Sequence, residues 1–151
     1  MKKLILATLL LALAAPAFCQ TDKDDIKKTI ATMFDAMRKG DSTMLRSVFA
    51  EGIVFQRVGT KKDGTQVLEN EKPDGFIKAV GTPHKDVWDE RITWGDIKID
   101  GPLASAWTPY KFYLGTKFSH CGLNYYQLMK TKNGWKIIYI IDTRRTNNCP
   151  N

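Results

Sequence analysis

The sequence predicts an α+β domain. Helical periodicity is confined to the N-terminal part, runs rich in β-formers fill the C-terminal half, and turn signals separate those runs. The 151 residues suffice for one domain and not two. With 43% hydrophobic and 26% charged residues, the composition is that of a globular protein rather than a disordered chain.

Residues 1–19 read as a secretory signal peptide. Lys2 and Lys3 supply a positive start, Leu4 to Ala15 an uncharged apolar run, and Ala15-Pro16-Ala17 the small residues before a cut. The run falls short of the roughly 20 apolar residues that span a bilayer. Cleavage after Ala17 or after Cys19 fits the small-residue rule. A lipid anchor on Cys19 is a third option, disfavoured by the bulk of Phe18. Residues 20–151 then form a single domain, secreted or periplasmic, with no membrane association after signal removal.

Asp22 to Lys39 is helical in pattern, with Ile26, Ile30, Met33, Phe34 and Met37 on one stripe. Thr21 or Asp22 can cap its start, Arg38 and Lys39 suit its C-terminal end, and Gly40 supplies the left-handed stop. Asp41 caps a second helix, Ser42 to Phe49. Ile53 to Val58 alternates as a strand, Lys61-Lys62-Asp63-Gly64 turns the chain, and Thr65 to Glu71 returns. Pro73 opens a short helix that ends at Gly81. Four long strands follow: Val87 to Ile99 with a bulge at Gly95, Leu103 to Leu114, Phe118 to Lys130, and Trp135 to Thr143 after the Asn133-Gly134 turn.

The formal net charge is +7, but the basic residues are spread, with no run longer than Lys61-Lys62 or Arg144-Arg145. Diffuse basicity is a solubility feature, and a nucleic-acid reader would need a concentrated basic face. In an oxidising compartment Cys121 and Cys149 form the even pair expected to bridge. Two histidines, His84 and His120, with bridged cysteines make no zinc constellation, and no phosphate-cradling or nucleophile-elbow motif occurs. No metal or cofactor is therefore implied.

Particular segments resemble the nuclear transport factor 2-like superfamily. Met37-Arg38-Lys39-Gly40-Asp41 with Met44 to Phe49 looks like its helix-Gly-Asp-helix opening. Ile97 to Ala104 looks like its central hairpin, and Gly134-Trp135-Lys136-Ile137-Ile138 like the start of its last strand. The branch most similar is the SnoaL-like and putative lumazine-binding group of secreted proteins. The resemblance implies a cone-shaped, cystatin-like fold with N-terminal helices packed on a curved antiparallel sheet. It also implies a pocket inside the cone, lined by one face of each strand.

Strand parity then assigns the lining. With a short loop at Asn133-Gly134, even positions of the third long strand share a face with odd positions of the fourth. That places Asn124, Tyr126, Tyr139 and Thr143 on one face, and Asp142 and Arg144 on the other. His120 and Arg145 lie near the pocket mouth, and Tyr110 comes from the preceding strand. Tyr110, His120, Asn124, Tyr126, Tyr139 and Arg145 are thus the expected ligand contacts.

A small, flat, partly apolar molecule is the expected partner. The alternative is a lyase, isomerase or cyclase with His120 or Asp142 as base and a Tyr as oxyanion donor. That chemistry suits a carboxylate inside the cone, yet Asp35 lies off the apolar stripe, and Glu69 and Glu71 lie near a hairpin end. A homodimer through Trp107 and Tyr125 is a third expectation.

Overall fold

The computed structural model describes residues 15–150. Residues 1–14, the larger part of the expected signal peptide, lie outside that range. Helix α1 spans Ala15–Lys39, and α2 spans Ser42–Ser47. Strands β1 (Phe49–Thr60) and β2 (Gln66–Glu71) lead to α3 (Pro73–Gly81). Then come β3 (Trp88–Ile92), β4 (Ile97–Asp100), β5 (Leu103–Leu114), β6 (Lys117–Thr131) and β7 (Gly134–Arg145). No helix among the described residues is long and apolar enough to cross a membrane.

The five apolar residues of the α1 stripe are all buried, Ile26 and Ile30 completely. Each such side chain contributes about 2 kcal/mol of transfer free energy. The helix begins before Asp22 because Ala15 and Ala17 favour helix and Pro16 is tolerated in a first turn. Asp22 instead anchors the helix to the sheet: its Oδ1 accepts from Lys130 Nζ at 2.6 Å and from Trp135 Nε1 at 3.2 Å. Gly40 has φ +65°, and the Asp41 carboxylate caps α2 through the Met44 amide at 2.8 Å. The second helix ends at Ser47 rather than Phe49, because Phe49 enters β1 opposite Ile137 of β7.

The sheet runs β2-β1-β7-β6-β5-β3, with β4 also on β5. It is antiparallel except between β1 and β7, which run parallel. The expected long strand Val87 to Ile99 is two strands. Both pair with β5, and between them Gly95 N donates to Trp107 O while Trp107 N donates to Asp96 O. A side chain at Gly95 would meet Trp107 O at 2.6 Å, so the break requires glycine. Helix α1 packs on the inner sheet face, against buried Phe55, Ala104, Ala106, Leu128 and Ile137. The outer face leaves Leu103, Trp107 and Met129 exposed, with Trp107 edge-on to Tyr125 at 5.6 Å. The homodimer expectation rests on this surface.

Cys121 and Cys149 are bridged, with Cα atoms 5.6 Å apart. The bridge ties the C-terminal tail to β6 at its Lys117 end.

Candidate functional site

β6 and β7 meet through a two-residue turn, Lys132-Asn133, and the expected parity holds from Thr131↔Gly134 to Leu128↔Ile137. There it stops. Gln127 pairs with Tyr139, so Ile138 has no partner on β6. The β1–β7 register also shifts there: Phe49 pairs with Ile137 and Val54 with Tyr139, and Gly52 has φ +73° between them. This β-bulge turns every later side chain of β7 to the other face. Tyr126 now faces Ile140, Asn124 faces Asp142, and Gly122 faces Arg144.

The consequence is a correction to the predicted lining. Asp142 and Arg144 point into the cone, and Tyr139 and Arg145 do not line it. Tyr139 instead donates to Gln56 Oε1 at 2.5 Å, and Arg145 Nε donates to Asn148 O at 2.9 Å. Tyr110, His120, Asn124 and Tyr126 line the cavity as expected. His84 stacks on Trp88 at 4.7 Å and stays outside the lining.

The cavity measures about 450 Å³. Its apolar lining comes from Met33 and Met37 of α1, Phe76 of α3, Trp88 of β3 and Phe112 of β5. Polar and charged groups are interleaved with these residues. Arg57 of β1 grips Asp142 with Nε at 2.9 Å from Oδ1 and Nη2 at 3.1 Å from Oδ2, and its Nη1 reaches Glu71 Oε1 at 2.5 Å. Burial opposes the charge on Arg57, yet Asp142 and Glu71 hold its pKa above the usual arginine value. Burial pushes the Asp142 carboxyl up, and Arg57 pulls it back without cancelling the shift.

Glu90 of β3 presents a second carboxyl to the cavity. Its Oε1 accepts from Asn124 Nδ2 at 2.6 Å. Burial pushes its pKa up to about 7; the Asn124 bond opposes, the Asp142 charge adds, and Arg144 and Arg57 oppose. His120, 7% exposed, moves the other way. Burial, then the charges of Arg144 and Arg57, lower it to about 4. Its Nδ1 lies 3.0 Å from Ser119 Oγ, and its ring packs on Phe112 at 4.8 Å.

Two tyrosines complete the lining. Tyr110 Oη donates to Thr143 O at 3.0 Å across Gly122, where a Cβ would come within 2.8 Å of the Tyr110 ring. Tyr126 is fully buried; its hydroxyl lies beside that of Thr108, and among the described residues neither has a hydrogen-bond partner outside this pair. Burial raises the Tyr126 pKa well above 10, so the hydroxyl keeps its proton and is a donor.

Sequence reasoning missed Arg57, Glu90 and Arg144. A signal existed for the first two. Phe55 and Arg57 alternate on one strand, as do Trp88, Glu90 and Ile92, so each charge shares a face with core hydrophobes. Arg144 had none, since its facing depends on the bulge.

No family model matches the chain, and no curated protein matches it. Solved structures do. A nuclear transport factor 2-like protein with a cystatin-like fold from Novosphingobium aromaticivorans superposes with a TM-score of 0.72 at 15% identity, covering 89% of this chain and 88% of that one. A nuclear transport factor 2-like protein of unknown function from Shewanella baltica gives 0.65 at 17% identity, covering 84% and 96%. A domain of unknown function with a cystatin-like fold from Nostoc punctiforme gives 0.64 at 20%, covering 85% and 80%. Such similarity speaks to architecture: this chain has the nuclear transport factor 2-like, cystatin-like fold.

Proposed function

We propose that the cone binds a small, flat, partly apolar molecule in a secreted or periplasmic setting. The cavity carries this reading: about 450 Å³ of space lined by Met33, Met37, Trp88 and Phe112 together with the polar side chains of His120 and Asn124. The aromatic and aliphatic groups of the lining offer the apolar contact such ligands need. The signal-like N-terminus and the Cys121–Cys149 bridge support export. Placement in the SnoaL-like or lumazine-binding branch rests on the sequence segments and belongs to the same proposal. Native mass spectrometry of protein from its own envelope tests binding. A co-purifying small molecule is expected, and its loss in Ile140→Trp, which fills the cavity, locates it. A bare mass in both forms counts against the reading.

A second reading, acid–base catalysis, is favoured by Glu90. Asp142 has both oxygens engaged by Arg57, and His120 titrates far below neutrality. Glu90, near pH 7 and facing the cavity, is the group suited to move a proton. Under this reading Glu90→Gln abolishes turnover and leaves ligand affinity nearly intact. Equal turnover in both forms rejects it.

A further inference from the structure

Resting on the binding reading above, we propose that the ligand carries an ammonium group, held by the Glu90 carboxyl and the side-chain oxygen of Asn124 and joined to an apolar body. The charge of the cavity is the first observation. Glu71, Glu90 and Asp142 line it, against Arg57 and Arg144. Arg57 pairs with both Glu71 and Asp142, so that trio keeps one negative charge. Arg144 is exposed and turned to the Tyr110 hydroxyl, and water screens a charge so placed. His120 titrates at about 4 and brings no charge at neutral pH. With Glu90 ionised the lining holds more negative than positive charge, and a ligand of one positive charge balances it. An anion finds no such place, because two acids already hold Arg57.

The second observation is a pair of open acceptors. Asn124 Nδ2 donates to Glu90 Oε1 at 2.6 Å, which leaves Glu90 Oε2 and Asn124 Oδ1. Neither has a hydrogen-bond partner among the described residues, and neither is sealed in as the Thr108 and Tyr126 hydroxyls are. Asn124 is only 6% exposed and lines the cavity, so its open oxygen serves the interior. An ammonium offers three donors and no acceptor, the complement of this pair. A third observation is aromatic. Trp88 lies two residues before Glu90 on the same face of β3, Phe112 pairs with Glu90 across β5, and both line the cavity. Aromatic faces beside a carboxyl favour an organic cation. A bare metal ion is not matched: among the described residues no three acids, histidines or cysteines are grouped to hold one.

The charge on Glu90 makes the binding pH-dependent. Glu90 of β3 faces Asn124 and Tyr126 of β6, Asp142 and Arg144 of β7, Arg57 of β1 and Tyr110 of β5. His120 of β6 stands beyond Phe112 in the same row, and Arg38 of α1 reaches the Glu90 backbone carbonyl at 3.5 Å. The Glu90 carboxyl titrates at about 7, so below neutrality a proton competes with the ammonium. Affinity should therefore rise about tenfold between pH 6 and pH 8, following the ionised fraction.

Titration calorimetry with three matched pairs tests the proposal: phenethylamine and phenethyl alcohol, tryptamine and tryptophol, octylamine and octanol. Within a pair the body is constant, so the amine's advantage reads the head group alone. At least one amine should bind tenfold or more tightly than its alcohol at pH 8, and less so at pH 6. Glu90→Gln should erase that advantage, whereas Glu69→Gln, an exposed acid outside the lining, should keep it and so separate the cavity from overall charge. Alcohols that bind as tightly as their amines, or an advantage that survives Glu90→Gln or vanishes in Glu69→Gln, overturn the ammonium assignment and leave the binding cone standing. Failure of all six compounds to bind protein of native circular dichroism overturns both.

Discussion

Asp142 on the β7 wall and Glu90 on the β3 wall bring the same functional group to one cavity in different electrostatic settings. Asp142 sits in the fork of Arg57, with Glu71 closing the other side. Among the described residues, the Glu90 carboxyl has one amide partner, Asn124, and no bonded cation. Burial raises both carboxyls, but the guanidinium offsets it at Asp142, whereas an amide dipole leaves Glu90 near neutrality. Burial and partner together decide which acid can exchange a proton at physiological pH.

The largest test removes the partner. Arg57→Met strands Asp142 and Glu71 in a partly buried wall and should cost about 3–5 kcal/mol, read by urea denaturation. Replacing both members, Arg57→Met with Asp142→Leu, should recover much of that loss; no recovery would mean that packing, not charge, makes the pair matter.

Next comes the covalent tie. Asn124 and Asp142 face each other on the β6–β7 pair, and the Cys121–Cys149 bridge, with 28 residues between its cysteines, clamps the pair's open end. Reduction should lower stability by about 3 kcal/mol, visible as a drop in Tm with excess reductant.

A third test swaps the amide-bonded acid for its neutral isostere. A raised carboxyl pKa means the folded state binds a proton the unfolded state has released. The contribution is therefore fully present below pH 4.5 and lost as pH rises to about 7. Glu90→Gln should thus be about 2–3 kcal/mol more stable than wild type at pH 8 and nearly equal to it at pH 4. An unchanged difference across that range would place Glu90 in water.

His120 supplies the finest test because its sign is opposite. Its lowered pKa means that protonation favours the unfolded state, so stability falls as pH drops from 6.5 toward 4. In wild type the two trends oppose each other over this window. Glu90→Gln should expose the acid-side loss from His120 alone, as a steeper fall in Tm on acidification, and adding His120→Asn should flatten it.

Most of the architecture was legible locally. The α1 stripe, the Asp41 cap, the Gly40 stop and the Asn133-Gly134 turn each follow from a few neighbouring residues. The polar lining was only half legible. Asn124, Tyr126, Tyr110 and His120 follow from strand alternation. Asp142 and Arg144 do not, because the shift at Ile138 goes with an irregular pairing to β1, roughly 85 residues earlier in the chain. Glu90 was overlooked for another reason: an acid between Trp88 and Ile92 on one strand face violates the usual apolar pattern, and that violation was itself the clue.

Ile138 divides the last ribbon into two jobs. On the hairpin side, Trp135 and Ile137 serve the interior, so substitutions there should be felt as folding defects. On the tail side, Asp142 and Arg144 serve the chamber, so substitutions there should be felt as changes in what is held. Altering residue identity keeps these roles apart. Gaining or losing one residue at that point would exchange them, making chain length at a single locus a stricter constraint than side-chain choice.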